Sequence, residues 1–275
     1  MWKWLTDLDR LLRGETTRPE TLREGRFEVA ASGLAIVIVL LGAIYGLCMG
    51  SYSLFKVVPE TLVDPQPWYM QLVASAIKVP ALFYLTLFVT FPSLYVFNAL
   101  VGSRLTLLSL LRLLVGSLAV NLAVVASLGP IVLFFSLTTQ SYPFIQLLNV
   151  VVFSVAGVLG LSFLLQTLHR LTMVDEVNIP ATAPSNVSPE ASELAMEVVE
   201  PSALDMPAGQ ALGEHTRTVF GCWIVLFAVV GAQMSWVLRP FIGNPNLPFT
   251  WFRERRSNFF EEVFNSISNL LTGGG

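Results

Sequence analysis

The residues able to carry chemistry are few and scattered. Two histidines (His169, His215) and two cysteines (Cys48, Cys222) are spread through 275 residues, and no CxxC or HExxH spacing joins them to further ligands. A structural zinc takes four such ligands and a catalytic one three, so no metal is expected. Walker A, GxGxxG and GxSxG spacings are absent too; these are the loops that cradle phosphates or present a nucleophile. No cofactor is expected, and the chain reads as non-enzymatic. The polar chemistry left inside the apolar stretches belongs to amides: Asn121, Asn149 and Gln233 come from three different segments. Each lies about five to seven residues below the outer end of its apolar segment, hence about 8–10 Å deep. They can therefore form one polar pocket, or act as hydrogen-bonding glue between helices.

The elements that must position them are set by composition. Of all residues 54% are apolar and 13% charged, against about 25% charged in soluble domains. Mean hydropathy is +0.66. These values exclude a soluble enzyme, a disordered chain and a disulfide scaffold, and leave a polytopic membrane protein. The net charge of −3 gives no basic field to recruit nucleic acid. Residues 29–168 hold six charges: Lys56, Glu60, Asp64, Lys78, Arg104 and Arg112. None of the segments chosen below as spans contains an acid, which argues against proton- or sodium-coupled transport.

A bilayer core needs about 20 apolar helical residues. Five segments qualify: about 30–55, 80–102, 107–128, 144–168 and 218–238. Pro80 fits the first turn of the second helix, which makes 69–78 an interfacial lead-in with Lys78 at the headgroups. Pro92 falls inside that helix, and Gly129-Pro130 ends or bends the third. The fold class is therefore all-α: a polytopic membrane bundle of about five transmembrane helices with amphipathic interfacial helices at both ends.

Domain organisation follows the same composition. Residues 1–28 form a cytoplasmic amphipathic segment, in which Trp4, Leu5, Leu8, Leu11 and Leu12 follow helical spacing. It either lies in the headgroup plane, anchored by Trp2 and Trp4, or packs on the protein's own cytoplasmic side. Residues 29–170 hold helices one to four. Residues 171–216 are a disordered acidic Pro/Ala/Ser-rich loop: eight acids and no base lie between Arg170 and Arg217. Residues 217–240 hold the fifth helix. Residues 241–275 are an aromatic and basic interfacial tail, anchored by Trp251 and Arg253. Its last helix spans 257–271, with Ser257 as cap and Phe260, Val263, Phe264, Ile267 and Leu271 on one face.

With the N-terminus inside, ten basic residues collect on the inner side and six on the outer, as the positive-inside rule favours. Cys48 and Cys222 then fall at opposite membrane faces, too far apart for a disulfide. Gly42, Gly46 and Gly50 repeat the GxxxG spacing on helix one, and Ala156 and Gly160 do so on helix four. Such stripes let backbones approach closely, either between subunits or within one chain.

Five helices with a cytoplasmic amphipathic N-terminus and a sparsely charged core give an architecture that resembles the Yip1-like membrane proteins. The segments Val89–Asn98 (VTFPSLYVFN) and Gly231–Gly243 (GAQMSWVLRPFIG) resemble those of uncharacterised bacterial integral membrane proteins. The likeness covers about 27–170 and 218–265. It implies a multi-pass protein of the bacterial inner membrane and brings no activity with it. The leading expectation is an accessory or scaffold subunit, packing through the glycine stripe and both terminal helices against lipid and other membrane subunits or copies of itself. The alternatives are a permease or channel for a small uncharged or lipidic solute, and a membrane-shaping protein.

Overall fold

A computed structural model describes residues 2–14, 31–54, 69–100, 107–177, 210–243, 249–254 and 257–272. Seven α-helices are described: α1 (Trp2–Leu12), α2 (Ala31–Gly50), α3 (Tyr69–Leu100), α4 (Leu107–Thr138), α5 (Tyr142–Val177), α6 (Gln210–Val237) and α7 (Phe259–Leu271). A 3-10 turn, Ser51–Leu54, extends α2. Every regular element among the described residues is helical, so the all-α class holds.

Four stretches are long and apolar enough to cross a membrane: Ser32–Leu54, Tyr69–Val96, Leu110–Thr138 and Tyr142–Thr167. This is the pattern of a multi-pass membrane protein. In α6 the apolar part is shorter, Gly221–Val237.

The bundle is organised by α2, which packs along both α3 and α4; α5 packs on α4, and α6 on α3. The row α6–α3–α2–α4–α5 is left open where α5 and α6 barely touch. The GxxxG stripe explains the central position of α2. A Cβ on Gly46 would collide with the Ser75 carbonyl oxygen and lie 2.7 Å from Ala76 Cα; one on Gly50 would lie 3.1 Å from Leu72 Cα. A Cβ on Gly42 would lie 3.1 Å from the Pro80 ring. The stripe is thus consumed inside the chain and offers no subunit interface. Ala156 and Gly160 behave alike: Ala156 is fully buried, and a Cβ on Gly160 would lie 2.9 Å from Asn121 Cβ.

Two helix boundaries differ from the sequence reading. Pro80 does not start the second helix: α3 is continuous from Tyr69, with Pro80 and Pro92 both inside it. Lys78, read as a headgroup-level residue, is buried within the protein at 3% exposed. Pro130 does not end the third helix either, because α4 runs through it to Thr138. Each proline removes one i to i−4 hydrogen bond, and membrane helices tolerate this where neighbouring groups brace the gap. Pro80 is braced by the glycine face of α2.

The ends differ as well. Residues 171–177 and 210–216, read as part of the acidic loop, continue α5 and start α6; 178–209 lie outside the described residues, as do 15–28. Leu8 and Leu11 of α1 are buried in the bundle core, and a Cβ on Gly33 would strike the Trp4 indole. Of the two readings for α1, packing on the protein itself is the one found, although Leu5 and Leu12 remain about half exposed at 45% and 50%. The cap of α7 is Asn258, not Ser257: its Oδ1 accepts from the Glu261 amide at 2.9 Å. Both cysteines are free.

Because Gly46 has no room for a Cβ against backbone, Gly46→Ala is expected to destabilise by about 1–3 kcal/mol, the usual cost of overpacking. A thermal unfolding series in detergent checks this. Gly221→Ala, where nothing lies within 4 Å of the added carbon, should leave the midpoint unchanged or raised.

Candidate functional site

The gap between α5 and α6 holds a cavity of about 1050 Å³. This lies just above the roughly 300–1,000 Å³ usual for small-molecule sites. Its lining on α5 runs from Tyr142 to Leu164, about 33 Å at the ordinary helical rise. The cavity therefore extends along most of the bundle's length. Its walls are apolar and aromatic: Phe83 of α3, Leu118 of α4, Phe153 of α5, and Trp223 and Phe227 of α6. Charge is confined to one end, where Arg239, Arg253, Glu254 and Glu262 contribute.

Two of the three predicted amides line this space. Asn149 is 3% exposed; its Oδ1 accepts from the Tyr45 hydroxyl at 2.7 Å, and its Nδ2 donates to the Ile145 carbonyl at 2.8 Å. The Tyr45 ring stands edge-on to Phe153 at 5.3 Å. Asn121 is 7% exposed and its Oδ1 has no partner. Beside it, Ser117 Oγ donates to the Gly160 carbonyl at 2.8 Å. Gln233 does not line the cavity, although its neighbours Ala232 and Ser235 do.

Nor do the amides form one layer. Asn149 and the Gly160 that meets Asn121 are about 16 Å apart along α5. The error follows from Pro130: with α4 ending at Thr138 rather than Gly129, Asn121 lies about 26 Å from the helix end instead of 8–10 Å.

The charged end is built by the chain after α6. Three α3 side chains at i, i+4 and i+7 hold it down. Gln71 Nε2 donates to the Phe241 carbonyl at 2.8 Å, the Ser75 hydroxyl donates to the same carbonyl, and Lys78 Nζ donates to the Pro240 carbonyl at 3.0 Å and to the Trp251 carbonyl. Lys78 also lies 5.3 Å from the Phe252 ring centroid, a cation–π contact. A buried cation is here satisfied by carbonyls and a ring rather than by an acid.

Arg239 stacks on Trp236 at 3.6 Å and donates to the Glu254 carbonyl, while its Nε is buried without a partner. Partial burial draws this guanidinium below its ordinary value; Glu262 opposes the shift and Arg253 adds to it. It remains a cation, as arginine does in proteins.

The compared protein-family models, curated proteins and solved structures include no match to this chain.

The predicted anchors divide. Trp251 is 45% exposed, in keeping with an interfacial position. Trp4 packs against Gly33, and the Trp2 side chain is outside what is described. Arg253 lines the charged end of the cavity. The residues missed from sequence are Gln71, Ser75 and Lys78. Their signal was available as a polar i, i+4, i+7 stripe on an otherwise apolar helix. Among the described residues, no group of three or more His, Cys, Asp or Glu could hold a metal ion.

Removing the Tyr45 hydroxyl leaves the buried Asn149 oxygen unpaired, so Tyr45→Phe is expected to cost about 1–3 kcal/mol. The double variant Tyr45→Phe/Asn149→Leu should lose less than the two single variants together. Unfolding midpoints of the three proteins check both statements; additive losses would mean the bond contributes nothing of its own.

Proposed function

We propose that this chain is a five-span, non-enzymatic membrane protein that takes a lipid-class amphipath into the cavity between α5 and α6. Of the readings drawn from sequence, this develops the permease for a lipidic solute. The fifth crossing is α6, whose 17 apolar residues Gly221–Val237 reach the lower limit for a span. The resemblance noted above suggests a bacterial inner membrane.

One observation carries the reading. The cavity lies where α5 and α6 barely touch, and Ser154 and Val158 of α5 and Ala228 of α6 along its walls are exposed, so we read it as opening sideways. In a bilayer such an opening meets acyl chains rather than water. An apolar, aromatic interior with charge at one end matches a molecule with a long apolar body and a polar head. The lining offers amides, hydroxyls and rings along its length and keeps its acids and bases at the one charged end, an arrangement that suits binding and passage of an amphipath.

The accessory-subunit reading keeps one supporting observation. The apolar face of α7 is uncovered, with Phe260 53%, Phe264 71%, Ile267 42% and Leu271 79% exposed. It loses the glycine stripe, which is spent on α3. The membrane-shaping reading loses α1 as a free wedge, because Leu8 and Leu11 are buried in the bundle.

The test is gentle extraction into nanodiscs, followed by mass spectrometry of everything retained. The unmodified chain is expected to carry a bound lipid. Gly157→Trp adds a ring where nothing lies within 4 Å of the new Cβ and the cavity stands open. It should displace the lipid while the unfolding midpoint stays within a few degrees. Equal retention by both proteins, or a stoichiometric protein partner with no lipid, would contradict the reading.

A further inference from the structure

The charged end of the cavity carries both signs at close quarters. Arg239 is committed to Trp236 and to the Glu254 carbonyl, and Glu254 interacts within the protein. Arg253 and Glu262 are not so committed. Both line the cavity, and neither side chain makes a hydrogen bond or ion pair among the described residues. Both lie within electrostatic reach of the Tyr142 hydroxyl and of Arg239, which line the same cavity. A guanidinium and a carboxylate thus face one space without meeting each other. At the edge of an apolar cavity each gains by acquiring a counter-charge of its own.

We propose that this end of the cavity selects a phospholipid whose headgroup carries both a phosphodiester anion and a primary ammonium, the phosphate meeting Arg253 and the ammonium meeting Glu262. The proposal rests on the lipid-binding reading above and names its ligand class. Functional-group chemistry supports the pairing. A guanidinium offers a planar fork of donors that matches phosphate oxygens, and a carboxylate accepts the N–H groups of a primary ammonium. Lys78, held under Phe252 and within electrostatic reach of Arg253, adds positive potential on the phosphate side. A purely anionic headgroup would satisfy Arg253 but bring no cation to Glu262. A quaternary ammonium would bring charge without an N–H to donate. The apolar body of the same molecule enters between Val158 and Ala228 and lies along Phe153 and Phe227.

The experiment uses the full chain in nanodiscs made from equal parts phosphatidylethanolamine, phosphatidylglycerol and phosphatidylcholine, with retained lipid identified by native mass spectrometry. Phosphatidylethanolamine should be enriched about tenfold over each of the other two, the ratio that one charge-assisted hydrogen bond supplies. Glu262→Gln should bring it down to the phosphatidylcholine level and leave phosphatidylglycerol unchanged or higher. Arg253→Gln should lower retention of all three. Lipid retained without headgroup preference, a preference for phosphatidylglycerol, or a pattern unmoved by Glu262→Gln would overturn the headgroup assignment and leave the cavity reading intact. No lipid retained from any mixture would overturn both.

Discussion

Inside hydrocarbon a backbone amide or a buried side chain has no water to turn to, so its partner must come from the protein. Much of this bundle follows from that constraint. It keeps α3 and α4 helical through Pro80, Pro92 and Pro130, because ending a helix at such a depth would free several carbonyls instead of one. It places the Tyr45 hydroxyl on Asn149 and the Ser117 hydroxyl on the Gly160 carbonyl. It also fastens the irregular chain after α6: the carbonyls of Pro240, Phe241 and Trp251 are taken up by Gln71, Ser75 and Lys78.

Close packing and open space are two sides of one arrangement. The glycine face of α2 lets α3 approach until backbone meets backbone. That draws α3 and α4 around α2 and carries α6 to the far side of α3, where it barely touches α5. Small residues of α5 and α6, among them Gly157, Ala228 and Ala232, face the cavity rather than a packed partner: a Cβ on Gly157 or Gly221 would touch nothing within 4 Å. Residues of α5 and α6 that would be covered in a closed ring, such as Val158 and Ala228, stay exposed. The tail that folds over α3 brings Arg239, Arg253 and Glu262 to one end of this space. The site is therefore a product of where the tight interface lies.

Four spans were legible because helical spans announce themselves by length and hydropathy alone; the fifth apolar segment is a shorter apolar helix, Gly221–Val237. Their ends were not. A proline penalty read from sequence assumes an isolated helix, whereas Pro80 packs against Gly42. One such boundary then displaced a site residue, since the depth assigned to Asn121 depended on α4 ending at Gly129. Asn121 and Asn149 stood out as amides in apolar surroundings and do line the cavity. Gln233 looked equivalent, but which way a residue faces on α6 depends on helix rotation, which a uniformly apolar helix does not encode. The GxxxG spacing marked a close interface and left open whether it joined two chains or two helices of one. The acceptors that hold the tail are main-chain carbonyls, and no residue type gives these away.

The central claim is that the space between α5 and α6 belongs to lipid. The most direct measurement places a photoreactive amino acid at Phe227, irradiates native membranes and weighs the products. An adduct of lipid mass is the result expected. Cross-links running only to α5 of the same chain would mean that the gap closes in the membrane. Cross-links to a second protein would mean that a partner fills it. Either result would contradict the account.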